Sequence, residues 1–496
     1  MTHEPVDKFL FDIVAETVSS ALNYVWKVER EGGYIGTQNN FPQLSYFANG
    51  MPSFGPAWGN EPKDYASVFD QGIFSISRMK AEYELEKQPG FLRLRTYFQS
   101  NTEIWSRCLA SRATEPAAAD SYLKTEVKVF ITQLVDRYMH VHKDAAFSAS
   151  EFLPIYLPFE ARLLLDKLPV NVWVPILFVG FDVPEIELRE GIYIRRIPDG
   201  LQLSRADEKT YSPATLEVVR GAATHAFVLT GYEIANTEWA EWAHIASTAD
   251  AYPTDKVDLL FAMLRLATGV DTGYAQLLLE PVGWASSYKA HLPPLEGTAV
   301  RKYPAIFEAF YWNEARVPRV DLPALLGVKD LYRRFVAVAE DKVKSRIMLA
   351  FRRLNDCLLR ENEEDAILDV TGAMEVLLTP GDNAEITHKL ATRLAALARF
   401  AASNPPPTTV FRNIKQIYRH RSNVVHGNVT KLGKSKEIRI NDARIIPTVK
   451  LATDYLRLAL QVLIEHPEYL DPSRIDEELL LESPVGDNKN DSPTGG

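Results

Sequence analysis

Arg421 and His426, separated by four residues with Asn423 among them, are the side chains of this chain best suited to cutting a phosphodiester. Cleaving RNA without a metal needs three things. A group must help deprotonate the 2′-hydroxyl, a cation must stabilise the charged phosphorane, and a proton must reach the leaving 5′-oxygen. Histidine titrates near neutral pH and can act as base or acid. Arginine stays charged and can grip a phosphate through two parallel hydrogen bonds. Asn423 could orient either group or hold a phosphate oxygen. Nearby, Tyr418 and Arg419 could stack on or grip RNA, whereas His420 reads as part of a solvated helix face. Lys431, Lys434 and Lys436 follow, either as a phosphate-tracking arm or as a solvated loop. Spacing alone favours a plainer reading, with His426 as a helix cap and Arg421 as a surface charge.

The elements that must position these residues are helices. From about Lys329 the chain reads as five helical segments, near 330–360, 363–378, 384–402, 408–426 and 442–466. Thr379-Pro-Gly closes the second, and the three prolines 405–407 close the third because proline cannot continue a helix. Gly427-Asn428 is a C-cap pair closing the fourth. On one ideal helix, residues five apart diverge by about 140°. Arg421 and His426 therefore meet on one phosphate only if the helix ends near His426 or if two chains each contribute. In the last segment, Val449, Ala452, Leu456, Leu460 and Leu463 form an apolar stripe that is either core or interface, core being the simpler reading.

The pattern Arg421-Ser-Asn-Val-Val-His-Gly resembles the signature of the HEPN superfamily, whose active members are metal-independent endoribonucleases. Asp369-x5-Glu375-x-Leu-Leu, then Ile386-Thr-His-Lys-Leu-Ala-Thr-Arg393, then Ile417-Tyr-Arg-His-Arg-Ser-Asn is similar to the ApeA-like HEPN branch. The resemblance covers about 330–468. It implies Arg421, Asn423 and His426 as catalytic residues, no cofactor and no metal, and a dimer whose paired motifs meet in a cleft. Glu375 stands where the family pattern has an acid, and it could support the site by pairing with Arg421 or Arg393. Some ApeA-like proteins are bacterial anti-phage factors. The resemblance thus implies a toxin-like ribonuclease that halts translation during infection, with tRNA a candidate substrate. The N-terminal region would sense a phage-derived trigger or hold the nuclease off. A non-catalytic HEPN dimerisation and RNA- or nucleotide-binding module is the alternative.

Composition agrees with a globular body. Charged residues are 24% and hydrophobic residues 46%, which argues against wholesale disorder. Two cysteines cannot supply a disulfide framework. The acidic start lacks the apolar core of a secretory signal. Val170 to Phe181, the most apolar stretch, is too short to span a bilayer. A cytoplasmic protein without membrane attachment is expected. Residues 411–440 hold eight basic residues against one acid, Glu437, so this stretch carries +7 while the whole chain carries −10. Any RNA site is thus a local basic patch in an acidic molecule. Gly433-Lys434-Ser435 imitates the end of a phosphate-binding loop, but Asn428 occupies the position of its first glycine and no buried strand precedes it.

The fold expected is an α+β N-terminal region followed by an all-α C-terminal HEPN-type helical bundle. Residues 1–150 read as mostly helical with a Gly/Pro/aromatic loop. Residues 151–328 read as an α+β domain, which could form one unit with 1–150. The bundle spans 329–468, and 469–496 is a tail with a disordered end.

Overall fold

The computed structural model describes residues 4–57, 59–70, 83–108, 116–143, 146–207, 219–309, 316–338, 341–381, 385–401, 405–441 and 444–481. The chain divides into two compact units. The first comprises Met1–Thr254, Tyr274–Arg301 and Tyr311–Arg319; the second comprises Asp255–Gly273, Lys302–Phe310 and Val320–Gly496.

The first unit combines helices with an antiparallel sheet. Helix α1 (Lys8–Arg30) starts at Asp7, whose carboxylate accepts the Leu10 amide, and buries Leu10, Val14, Val18 and Leu22. It packs with α2 (Pro89–Ser100), α4 (Pro116–His142) and α5 (Ala149–Leu164), while α3 is Thr102–Cys108. A hairpin of β1 (Pro42–Tyr46) and β2 (Pro52–Pro56) occupies the Gly/Pro/aromatic stretch expected to be loop. Six further strands are β3 (Lys167–Pro175), β4 (Glu185–Arg189), β5 (Ile192–Arg196), β6 (His225–Ala235), β7 (Tyr274–Pro281) and β8 (Glu296–Lys302). They form one sheet in the order β8-β7-β3-β6-β5-β4. The β4–β5 hairpin turns at Glu190-Gly191, with Gly191 at φ +74°. At Gly231, φ +77°, the β3–β6 register slips, the left-handed conformation that a bulge of this kind assigns to glycine. Shorter helices α6 (Asp199–Asp207) and α7 (Trp239–Ser247) also belong to the unit.

Among the described residues the second unit is a helical bundle with one hairpin. It begins earlier than Lys329, and it recruits α8 (Thr254–Thr268) from the middle of the chain. The long segment expected at 330–360 is two helices, α9 (Leu322–Ala337) and α10 (Asp341–Leu359), parted where Val338 turns extended. No proline or glycine marks that break. Next come α11 (Glu363–Leu378), α12 (Ile386–Leu397), α13 (Pro407–Val425), α14 (Val429–Ser435) and α15 (Thr448–Glu465). The expectation of an all-α bundle, with helix resuming at 442, fails between α14 and α15. Here β9 (Glu437–Asn441) pairs antiparallel with β10 (Arg444–Pro447), bringing buried Ile438 opposite buried Ile446. Ile438 and Ile440 in period two, the β-branched pair Ile445-Ile446 and Pro447 as the α15 N-cap favour a strand pair over the helix expected from 442.

Ala452, Leu456, Leu460 and Leu463 on α15 are fully buried within the chain, so the stripe is core. Residues 475–481, placed by sequence in the tail, form a π-helical turn that buries Ile475 and belongs to the bundle. The expected disordered end, 482–496, lies outside the described residues. Among the described residues no helix is long and apolar enough to cross a membrane.

Candidate functional site

Helix α13 carries the motif, and its sequence sets both ends. Pro407 falls in the first helical turn, where the missing N–H costs no helical hydrogen bond. At the other end, Gly427 is left-handed at φ +62°. Its N–H donates to Val424 O at 3.1 Å, and the Asn428 N–H donates to Asn423 O at 2.9 Å. These two bonds are the paired closure of a Schellman cap. His426 is the C-cap residue with φ −94° and ψ 5°, outside the helical spiral and exposed. Its ring forms no hydrogen bond or ion pair among the described residues. The helix thus ends where the sequence requires it to end, and His426 stands free at its tip.

Arg421 sits on the flank of the same helix, facing α11. Its Nη2 lies 3.7 Å from Glu375 Oε1, an ion-pair distance too long for a good hydrogen bond. The same carboxylate oxygen accepts a hydrogen bond from the Tyr418 hydroxyl at 3.1 Å. Burial, reinforced by the neighbouring Glu375 charge, holds the Tyr418 phenol far above its usual range, so it stays a neutral donor. Of the two partners open to Glu375 from sequence, the structure selects Arg421. Arg421 Nε is buried and has no hydrogen-bond partner among the described residues.

Arg393 does something else. It is buried, and its Nε and Nη2 grip Asp476 at 2.9 and 2.7 Å while Nη1 donates to Leu378 O at 2.6 Å. That clamp ties the segment after residue 470 to the bundle and takes Arg393 away from the motif. Asp369 is likewise occupied, accepting from Arg360 Nε at 2.8 Å.

Asn423 and His420 point to the opposite side of α13. Both are buried. Asn423 Nδ2 donates to Ser435 Oγ at 3.2 Å, and His420 Nδ1 shares the same hydroxyl at 2.8 Å. Two expectations are corrected here. His420 is not on a solvated face, because α14 folds back over it. Asn423 anchors α14 rather than standing beside Arg421, since two helical steps place the two side chains about 160° apart. Burial lowers the His420 pKa, with Lys436 acting the same way and Glu363 and Glu364 opposing.

Tyr418 is buried too, its ring inside the bundle with only its hydroxyl serving the site. It offers no open face for stacking on a base. Arg419 is exposed. Lys431 and Lys434 lie on α14, a helix where the sequence suggested an arm or a loop; the Lys431 side chain falls outside the described residues. Lys434 is exposed, and Lys436 pairs with Glu363 at 3.3 Å.

Beside Arg421 an open cleft of about 740 Å³ runs between α11, the first turn of α12 and the outer face of α13. Glu375, Glu385, Thr387, His388, Lys415 and Arg421 line it. His388 and Lys415 were not singled out from sequence. The one signal available was the i, i+3, i+6 spacing of Lys415, Tyr418 and Arg421, which places them along one side of α13. His426 does not line this cleft. Among the described residues no group of three His, Cys, Asp or Glu is placed to hold a metal ion.

No protein-family model matches this chain, and neither a curated protein nor a solved structure matches it.

Proposed function

We propose that this chain is a metal-independent endoribonuclease of the HEPN type, a bacterial toxin or anti-phage effector that cleaves cellular RNA, tRNA included. The observation that carries the reading is the tip of α13. A histidine free of protein partners stands on a Schellman cap, just over one turn beyond an arginine that its carboxylate neighbour holds only loosely. His426 moves the proton of the 2′-hydroxyl or of the leaving oxygen. Arg421 exchanges its long contact with Glu375 for the phosphorane oxygens, which carry more charge than the ground-state phosphate. Two chains about a two-fold axis supply the second histidine that an acid–base pair requires. Exposed basic residues of 411–440 hold the strand, and the first unit receives the trigger in the cytoplasm.

A second reading has its own support. Asn423, the polar residue of the motif, is buried against Ser435, which favours a module that binds RNA or a nucleotide without cutting it. Purified protein incubated with total RNA in EDTA separates the two. Cleavage by the wild type that falls at least about a hundredfold in Arg421→Ala fits removal of a charged group that stabilises the transition state. RNA retained but uncut by the wild type would leave the binding module standing.

A further inference from the structure

The cleft beside Arg421 is built from three elements, and its chemistry differs from that of the His426 tip. Lys415 is exposed and has no carboxylate at ion-pair distance among the described residues; its Nζ lies 5.2 Å from the Phe411 ring centroid. His388 meets the same ring edge-on, with centroids 5.8 Å apart. Phe411 thereby holds a cation and an imidazole on one wall. Arg421 forms the inner end, its guanidinium only loosely held by Glu375. The third wall is the first turn of α12. Glu385 precedes that turn in the left-handed region at φ +56°, and its side chain does not cap the helix. The partial positive charge of a helix start therefore faces the same space as two basic side chains. The opposing charges are Glu375, already shared by Tyr418 and Arg421, and Glu385 at the mouth. A volume of about 740 Å³ lies in the range of small-molecule sites and leaves room for a nucleotide.

We infer that this cleft binds a phosphate group of a nucleotide, with Lys415 and Arg421 taking its charge and His388 closing over it from the rim. The choice of ligand rests on the ribonuclease reading. Because Arg421 belongs to both sites, the bound phosphate would neighbour the one that is cut. The cleft would thus fix which nucleotide beside the scissile bond is held. A nucleotide within an RNA strand and a free nucleoside monophosphate share this chemistry.

The test uses the full chain carrying His426→Ala, so that RNA can be bound without being cut. Titration calorimetry compares an RNA hexamer, adenosine 5′-monophosphate and adenosine. The hexamer, the monophosphate or both should bind, and adenosine, which lacks the charge-assisted hydrogen bonds, should bind at least about tenfold more weakly. Lys415→Ala should weaken phosphate-bearing ligands by about tenfold, His388→Ala by less, and Lys415→Arg should restore most of the affinity. Binding of the hexamer alone identifies a strand subsite; binding of the monophosphate as well identifies a nucleotide pocket. Adenosine binding as tightly as its monophosphate, unchanged affinity in Lys415→Ala, or no binding of any probe would overturn the proposal. Lys415 is exposed, so its replacement leaves the bundle folded. In the wild-type background the two proposals separate. Cleavage with an unchanged KM in Lys415→Ala removes the cleft and keeps the nuclease. Lys415-dependent binding without cleavage keeps the cleft and removes the nuclease.

Discussion

Glu375 gives the site its resting state. One carboxylate oxygen accepts the Tyr418 hydroxyl at 3.1 Å but lies 3.7 Å from the Arg421 guanidinium, so the arginine pairing is incomplete. A half-satisfied arginine is easier to transfer to an incoming phosphate than one held in a bidentate clamp, as Arg393 is held by Asp476. His420 marks the other face of the helix and has a measurable signature. Its folded-state pKa lies below the ordinary histidine value because it is buried. The unfolded chain therefore takes up the proton more readily. The stabilising contribution is complete above about pH 6.5, the ordinary value, and is lost as pH falls below it. Urea midpoints of the wild type should drop between pH 7.5 and pH 5.5 by more than those of His420→Gln. Equal drops in the two proteins would show that His420 does not carry the effect. The sequence made Arg421 and His426 visible because their types and spacing are local. It did not make visible the cleft residue His388, which joins Lys415 and Arg421 only through the packing of α12 on α13.

The ends of α13 were legible because proline and glycine act on the backbone itself. The three prolines bar helix before Pro407, and Gly427 alone adopts the left-handed turn that closes the Schellman cap without steric cost. The segment after that cap was not legible as helix plus hairpin. Its charges suggested a phosphate-tracking arm or a solvated loop, whereas Ser435 returns to cover His420 and Asn423, and Ile438 and Ile446 bury themselves across a two-stranded ribbon. These contacts are short in sequence, but those of Ser435 with His420 and Asn423 cross the end of α13, so helical periodicity on either side of Gly427 does not register them. The arm still carries charge outward. Lys434 is exposed, while Lys436 is already paired with Glu363. Reversing Lys431, Lys434 and Lys436 together should therefore reduce the slope of log K against log salt for single-stranded RNA by about 1 to 2, since each phosphate that is no longer neutralised removes about 0.7. An unchanged slope would mean that the arm does not touch the RNA backbone.

At the scale of the whole molecule, α15 limits how a dimer can form. Its apolar stripe is spent inside the chain, with Leu456, Leu460 and Leu463 fully buried, so that face cannot join two copies. Val425 remains, half exposed beside His426 at the tip of α13. A two-fold axis there would join two tips and gather two histidines and two arginines, a juxtaposition of cations that bound RNA would relieve. Light scattering should give about twice 55.9 kDa. Adding excess Arg421→Ala protein should suppress wild-type cleavage through mixed dimers, and a monomer that cuts at full rate across dilution would remove the shared site. The mixed helix-and-sheet first unit and the helical second unit were readable from periodicity. Recruitment of α8 into the second unit was not, because a helix buried continuously from Leu259 to Leu266 carries no polar face by which its periodicity could assign it to a unit. The central claim is chemical, and mapping the ends of a defined RNA after incubation in EDTA tests it most directly. The expected result is 2′,3′-cyclic phosphate and 5′-hydroxyl ends from the wild type and no cleavage by a folded His426→Ala protein. Intact RNA with the wild type, or the same ends from His426→Ala, would contradict it.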